Sequence, residues 1–319
     1  VIESAQDADT GEYSVVVSNA FSAIESSPVK LIIKESTVGE LIWEFHVRDN
    51  ETFLTSSLDY DDNVYCTASE NNDGHLGMKL YALDGKTGLN KWTVPLVDHY
   101  FWRNASIGTD NTIYVVDDGK VLALDNKTGK EKWTNNSNVY SNISIDADGT
   151  IYCSSNSNNI LAINSVTGKK EWGLDLPGEG FQGSMVDNSN IYFYEPSQGR
   201  IAAIDKKSEK KIWEFTNGRP TGAGGKNWNL IPSIGVNNEI FAYTNILDSV
   251  TGKIKRERDF GLAKEFGRSA RPPCSFVIGP NNITYGAPLH KSSAKKTVGG
   301  VIAFDENSQT VKFEIQEEK

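Results

Sequence analysis

Four histidines, three cysteines and one knot of aspartates are the side chains here with obvious ligand or acid–base chemistry. His46, His75, His99 and His290 are scattered, with no H-x-x-x-H step and no paired cysteines beside them, so no zinc-type site is spelled out. Cys66, Cys153 and Cys274 are an odd number and imply no disulfide framework. Cys66 and Cys153 follow equivalent tyrosines in different repeats, too far apart to bridge, and all three cysteines read as small buried hydrophobes. Asp59, Asp61 and Asp62 (DYDD) could offer oxygens to Ca²⁺, but the same residues suit a hairpin tip, and that reading is preferred. Gly222–Gly225 (GAGG) has the look of a phosphate cradle but opens no helix, and reads as a loop. Neither a G-x-S-x-G elbow nor a P-loop occurs. No catalytic, cofactor-binding or metal-ligating residue is therefore assigned.

Aromatic and cationic clusters suggest binding instead. His99, Tyr100, Trp102 and Arg103 stand together in DHYFWR, and Phe181 ends the segment GEGF. Arg219, Lys226 and Trp228 lie in NGRPTGAGGKNWN, and Arg268 and Arg271 precede Pro272. Aromatic and arginine side chains are enriched at binding hot spots and in ligand pockets. Their alternative use is to fill the central channel of a ring.

The elements that must position these clusters repeat. Asp84, Gly88 and Trp92 fall in YALDGKTGLNKW; Asp125, Gly129 and Trp133 in VLALDNKTGKEKW; Asn164, Gly168 and Trp172 in ILAINSVTGKKEW; Asp205 and Trp213 in RIAAIDKKSEKKIW. The step from acid or amide to tryptophan is eight residues each time, and the starts recur at intervals of 41, 39 and 41. Degenerate copies run from Asp248 to Arg256 and from Asp305 to Phe313. Upstream of each turn stands an apolar–aromatic step: Val64-Tyr65, Ile113-Tyr114, Ile151-Tyr152, Ile191-Tyr192 and Ile240-Phe241. Each period reads as four short strands, which predicts an all-β fold, a β-propeller of four-stranded blades. The D-x-x-T-G turn joins the third and fourth strands, and each tryptophan is expected to staple its blade to the next. Trp102 and Trp228 fall outside the eight-residue step, so stapling does not account for them. The fifth repeat is shortened between Phe241 and Asp248, so its second and third strands should be brief or merged.

The A-x-D-x-x-T-G-x-x-x-W signature resembles the repeat of pyrroloquinoline-quinone-type (PQQ-like) propellers, over residues 40–319 or so. That group holds quinoprotein dehydrogenases and non-enzymatic scaffolds, including the lipoprotein of the outer-membrane β-barrel assembly machine. For a dehydrogenase the resemblance implies a vicinal Cys-Cys disulfide against the quinone, a Ca²⁺ or lanthanide ion, and an aspartate base. This chain has no adjacent cysteines, its repeats are lean, and no residue carries over as a cofactor ligand. The expectation is a non-enzymatic binding scaffold without a cofactor, taking a protein or carbohydrate ligand at the inter-blade loops. The alternative is a quinoprotein oxidoreductase fragment, or an accessory propeller of an enzyme.

Residues 1–35 carry a different signal. Asp9-Thr10-Gly11-Glu12-Tyr13 has the D-x-G-x-Y form of a tyrosine corner, with strand F from Tyr13 to Val17 and strand G from Pro28 to Ile33. This resembles the end of an immunoglobulin-like domain of the I-set type, although Val15 stands where the second cysteine would be. The division expected is 1–35 for this remnant and 36–319 for the propeller. Trp43 in GELIWEF looks like a fourth strand without its first three. With six repeats visible, the propeller is expected to be part of a seven- or eight-bladed ring in a longer protein.

A net charge of −10 argues against nucleic-acid binding through bulk electrostatics. No apolar run is long enough to span a membrane as a helix. The family resemblance implies an extracellular, cell-surface or periplasmic setting.

Overall fold

The computed structural model describes residues 11–13, 16–18, 23–25, 29–31, 42–48, 50–72, 75–97, 104–155, 159–176, 180–181, 183–195, 199–216, 232–235, 237–242, 245–257, 276–278, 283–286, 289–291, 297–305 and 310–316. Two compact units are present, Val1–Phe45 and His46–Lys319. In the first, β1 (Gly11–Tyr13), β2 (Val16–Ser18), β3 (Ala23–Glu25) and β4 (Val29–Leu31) form nested antiparallel pairs, β1 with β4 and β2 with β3.

The second unit is a β-propeller. Blade 1 contains β5 (Glu51–Leu58), β6 (Asn63–Asn72), β7 (His75–Asp84) and β8 (Asn90–Leu96). Blade 2 contains β9 (Ser106–Ile107), β10 (Ile113–Asp117), β11 (Lys120–Leu124) and β12 (Glu131–Asn135). Blade 3 contains β13 (Ser144–Ile145), β14 (Thr150–Ser154), β15 (Asn159–Asn164) and β16 (Lys170–Asp175). Blade 4 contains β17 (Gly183–Val186), β18 (Asn190–Glu195), β19 (Arg200–Asp205) and β20 (Lys210–Thr216). Blade 5 contains β21 (Ser233–Ile234), β22 (Glu239–Ala242), β23 (Asn245–Asp248) and β24 (Ile254–Glu257). The sixth sheet has β25 (Phe276–Ile278), β26 (Ile283–Gly286), β27 (Leu289–Lys291), β28 (Thr297–Asp305) and β29 (Thr310–Gln316), with β27 as an extra strand on β28. The middle strands of blade 5 are brief, as its short repeat requires, and remain separate.

A transverse row of four residues crosses each blade. It reads Ser57–Tyr65–Ala82–Trp92 in blade 1, Ser106–Tyr114–Ala123–Trp133 in blade 2 and Ser144–Tyr152–Ala162–Trp172 in blade 3. In blade 4 it reads Met185–Tyr192–Ala203–Trp213. The alanine is the reason the row works. Its side chain is too short to hold the rings apart, so tyrosine and tryptophan meet over it at 5.8, 5.7, 6.0 and 5.8 Å between centroids in blades 1 to 4. Blade 5 reads Ser233–Phe241–Ile246–Arg256. There Ile246 fills the space over which an indole would fold. Arg256 instead forks onto Glu239 of its own blade, with Nη1 at 2.5 Å from Oε1 and Nη2 at 3.1 Å from Oε2.

The indoles also join blades. Trp92 and Trp133 Nε1–H donate to the Asn126 and Ser165 carbonyls at 2.8 Å, and Trp213 donates to Ser249 at 3.0 Å. Trp92, Trp133 and Trp213 each lie on the glycine of the next blade's turn. A Cβ built on Gly129, Gly168 or Gly252 would come within 2.8, 2.6 or 2.6 Å of the Trp92, Trp133 or Trp213 ring, and all three backbones are at φ +67 to +69°. Two constraints thus select glycine there. Glu209 breaks the pattern: it holds the corresponding place at φ +58°. Among the described residues Trp172, the tryptophan of the preceding blade, donates no such hydrogen bond. Replacing Glu209 by glycine removes a left-handed non-glycine residue and should raise stability by about 1 kcal/mol. Urea unfolding checks this, and an unchanged or lowered midpoint would refute it.

Near the axis, serine hydroxyls bind neighbouring inner strands together. Ser57 Oγ donates to Ala105 O at 2.6 Å, Ser106 Oγ to Ile143 O at 2.9 Å, and Ser144 Oγ to Ser184 O. These bonds engage carbonyls in and beside the inner strands of the following blade, and a buried carbonyl left unpaired would be costly. The cores lie between blades: Tyr152, Ile160, Ile191, Phe193 and Ile204, for example, pack into one cluster between blades 3 and 4.

Among the described residues, 42–48 pair in no ladder, although exposure alternates along them as it does along β8, β16 and β20.

Candidate binding face

Strands alternate in direction across a blade, so its connections sort onto two faces. The first-to-second and third-to-fourth turns share one. The second-to-third hairpins and the links between blades share the other, where a ligand was expected. His99, Tyr100, Trp102, Arg103, Arg219, Lys226, Trp228, Arg268 and Arg271 lie outside the described residues.

Phe181 is described, and it is a packing residue, 2 % exposed. It is the large apolar side chain of its linker and fills the gap between blades 3 and 4. Its ring meets Phe193 edge-on at 6.0 Å and 74°. Its carbonyl accepts from Ser154 Oγ of blade 3 at 2.6 Å. The Arg200 guanidinium of blade 4 lies over its ring, 4.8 Å from the centroid.

Arg200 is the residue that the sequence reading missed. It faces Glu195 across the β18–β19 hairpin, with Nε 2.7 Å from Oε2, and its Nη1 is 3.6 Å from Glu214 Oε1. The Glu195 side chain is wholly buried beside this cation. Burial works against ionisation of Glu214, but Lys211 and Arg200 outweigh it and hold its carboxyl below the ordinary value. The available signal was a charge pair flanking a four-residue turn, E-P-S-Q-G-R.

Blade 1 has a second buried network on this face. Its β6–β7 hairpin pairs out to Asn72 and His75, well beyond the hairpins of the other blades. Lys79 Nζ is 2.7 Å from Glu51 Oε1 and 2.8 Å from Glu70 Oε2, and Tyr81 OH donates to Glu51 Oε2 at 2.5 Å. Desolvation raises the Glu51 pKa, yet the bonds from Lys79 and Tyr81 bring it below the usual carboxylate value. Burial, with the Glu51 carboxylate, pushes the Tyr81 phenol up to about 12.

On the opposite face the aspartates serve the turns. Asp59 accepts from the Asp61 and Asn63 backbone N–H groups, Asn63 Nδ2 and Tyr65 OH, all within 2.9 Å, so DYDD is a hairpin tip. Asp84 and Asp125 each accept from the N–H and hydroxyl of the threonine three residues along the turn, which lowers their pKa values. Among the described residues no three His, Cys, Asp or Glu side chains gather as metal ligands. Cys153 is buried, which pushes its thiol up to about 12, whereas Cys66 is only half-buried; Cys274 lies outside the described residues.

Glu51, Asp59, Asp110 and Glu239 all have depressed folded pKa values: desolvation is outweighed by hydrogen bonds at Asp59, and by hydrogen bonds with nearby cations at the other three. Their stabilisation is present above the unfolded carboxyl value of about 4 and is lost as pH falls through the folded values. The melting temperature should therefore hold from neutrality to about pH 5 and drop steeply below about pH 4. Thermal scans across that range test this, and a flat profile would contradict it.

No curated protein matches the chain. The crystal structure of BamB from Moraxella catarrhalis is similar at 14 % identity and a TM-score of 0.47, over 84 % of this chain and 98 % of that one. Quinohemoprotein alcohol dehydrogenase from Comamonas testosteroni is similar at 15 % identity and a TM-score of 0.49, over 84 % of this chain and 62 % of that one. A family model, described as outer membrane protein assembly factor BamB, matches residues 6–215, beginning inside the segment read as immunoglobulin-like. With the Asp–Thr–Gly turns, the tyrosine–alanine–tryptophan rows and the four-stranded blades, that match places the chain in the family of outer membrane protein assembly factor BamB.

Proposed function

We propose that this propeller is a non-enzymatic scaffold that binds a protein through its inter-blade loop face. One observation carries the reading. The linker between blades 3 and 4 is anchored at Phe181 by Ser154 from one side and Arg200 from the other, which gives the face a rigid base. Sites held by such second contacts bind with less ordering cost. Membership of a family described as an assembly factor supports a protein as ligand; a carbohydrate is the other candidate. An extracellular, cell-surface or periplasmic setting goes with this reading, as does an immunoglobulin-like spacer at residues 1–35.

The rival class is a quinoprotein oxidoreductase or its accessory. Titrating the protein with pyrroloquinoline quinone, with and without Ca²⁺, separates the two. Saturable micromolar binding with a shifted quinone absorbance would overturn the scaffold. For the scaffold itself, surface plasmon resonance against outer-membrane β-barrel proteins and a glycan array should find a ligand whose affinity falls at least about tenfold in the Trp102→Ala/Trp228→Ala variant. An unchanged affinity would remove the loop face from the proposal.

A further inference from the structure

The opposite face, formed by the turns, has a composition that folding does not require. At five of the six turns that lead into a blade's fourth strand, from Asp84 to Lys91, Asp125 to Lys132, Asn164 to Glu171, Asp205 to Lys211 and Asp248 to Lys255, lysines outnumber carboxylates, in a chain whose net charge is −10; the sixth, Asp305 to Lys312, has two carboxylates and one lysine. Lys86, Lys127, Lys169, Lys170, Lys207 and Lys210 are all exposed. Large aliphatic side chains stand among them: Val166 is 80 % exposed, Leu89 69 % and Val250 59 %. A tight turn needs Asp, Thr and Gly; it does not need an aliphatic residue in water at its tip.

The turns occupy one side in common. Each indole of blades 1, 2 and 4 bonds to the turn carbonyl of the following blade, which sets those turns beside one another. Lys206 of blade 4 reaches Asp146 of blade 3 on the same side. The first-to-second hairpins lie nearer the axis on this face and are acidic, with Asp61, Asp62, Asp110, Asp148 and Asp187. Charge is therefore divided between an acidic hub and a basic, aliphatic-tipped rim.

The geometry points to a peripheral contact of this rim with an anionic lipid surface, the lysines meeting headgroups and the aliphatic tips entering the interface. Lysine beside short apolar side chains is the chemistry that such an interface selects. An array of similar tips along one side of a disc suits an extended layer better than a cleft. The contact leaves the loop face open and does not depend on what that face binds.

Co-sedimentation with phosphatidylcholine vesicles doped with phosphatidylglycerol, against phosphatidylcholine alone, tests it. Binding is expected only with the anionic lipid, and should fade as salt rises from about 0.1 M to about 1 M, where the Debye length shrinks to about 3 Å. Lysine near an anionic surface is worth about a factor of five. The variant Lys169→Glu/Lys170→Glu/Lys207→Glu/Lys210→Glu should therefore lose at least about 100-fold in affinity while keeping its melting temperature. Asp61→Asn/Asp62→Asn/Asp148→Asn, which discharges the hub, should bind more tightly. Absence of binding to anionic vesicles, or equal binding by the lysine variant, would overturn the proposal. Binding to heparin but not to vesicles would also overturn it, in favour of a soluble anionic polysaccharide.

Discussion

Arg200→Ala should destabilise the propeller by about 3–4 kcal/mol, the largest effect expected of any single substitution in blades 1 to 5. The change removes the cation beside Glu195, whose side chain is wholly buried, and it strips the guanidinium from the Phe181 ring. A buried carboxylate that loses the cation beside it is less well compensated for its lost hydration, and that costs stability. Arg200→Lys should recover only part of the loss, because an ammonium neither stacks on a ring nor spans Glu195 and Glu214 together. Urea unfolding would show a lower midpoint with an unchanged slope. A loss below about 1 kcal/mol would mean that the pair is as weak as an exposed one.

The second large effect is expected at Trp133. Alanine there removes an indole that covers Tyr114, touches Gly168 and donates to Ser165, at a cost of about 3 kcal/mol. Trp172→Ala is the internal control. That indole packs on Tyr152 at nearly the same distance, but the next blade's turn carries Glu209 in place of glycine and the bond to it is lacking among the described residues. Its loss should be smaller by about 1 kcal/mol, the net worth of one hydrogen bond. Equal losses would show that the inter-blade bond contributes nothing measurable.

Blade architecture was legible because it is local. An aspartate that caps its own turn, a glycine at positive φ and a tryptophan four residues on must lie within one short stretch of chain, and they recur at each period. The alanine opposite each tryptophan was also in plain view, yet its meaning needed the register, which shows that it clears the path between two rings. The absence of a tryptophan at Arg256 likewise follows from Ile246, ten residues earlier. Bonds between blades were not legible. Ser57 and Ala105 lie 48 residues apart, and nothing in either segment marks the other. Nothing in the sequence marks Arg200 and Glu195 as buried; the packing of the preceding linker onto Arg200 shows that they are. Phe181 was grouped with surface aromatics by its place in a linker, whereas its environment is core.

The indole donor and the turn carbonyl that receives it lie on opposite flanks of a blade. The array is therefore directional, with blades 1, 2 and 4 each a hook that catches the eye of its successor. Duplicating one whole period in the gene, 39 or 41 residues, would add a hook and an eye together and leave both neighbours matched. Duplicating half a period would strand an aromatic ring on one side and a carbonyl on the other. Lineages of this chain should consequently gain and lose material in complete blades, and the boundaries of viable insertions should fall in the linkers rather than in the turns.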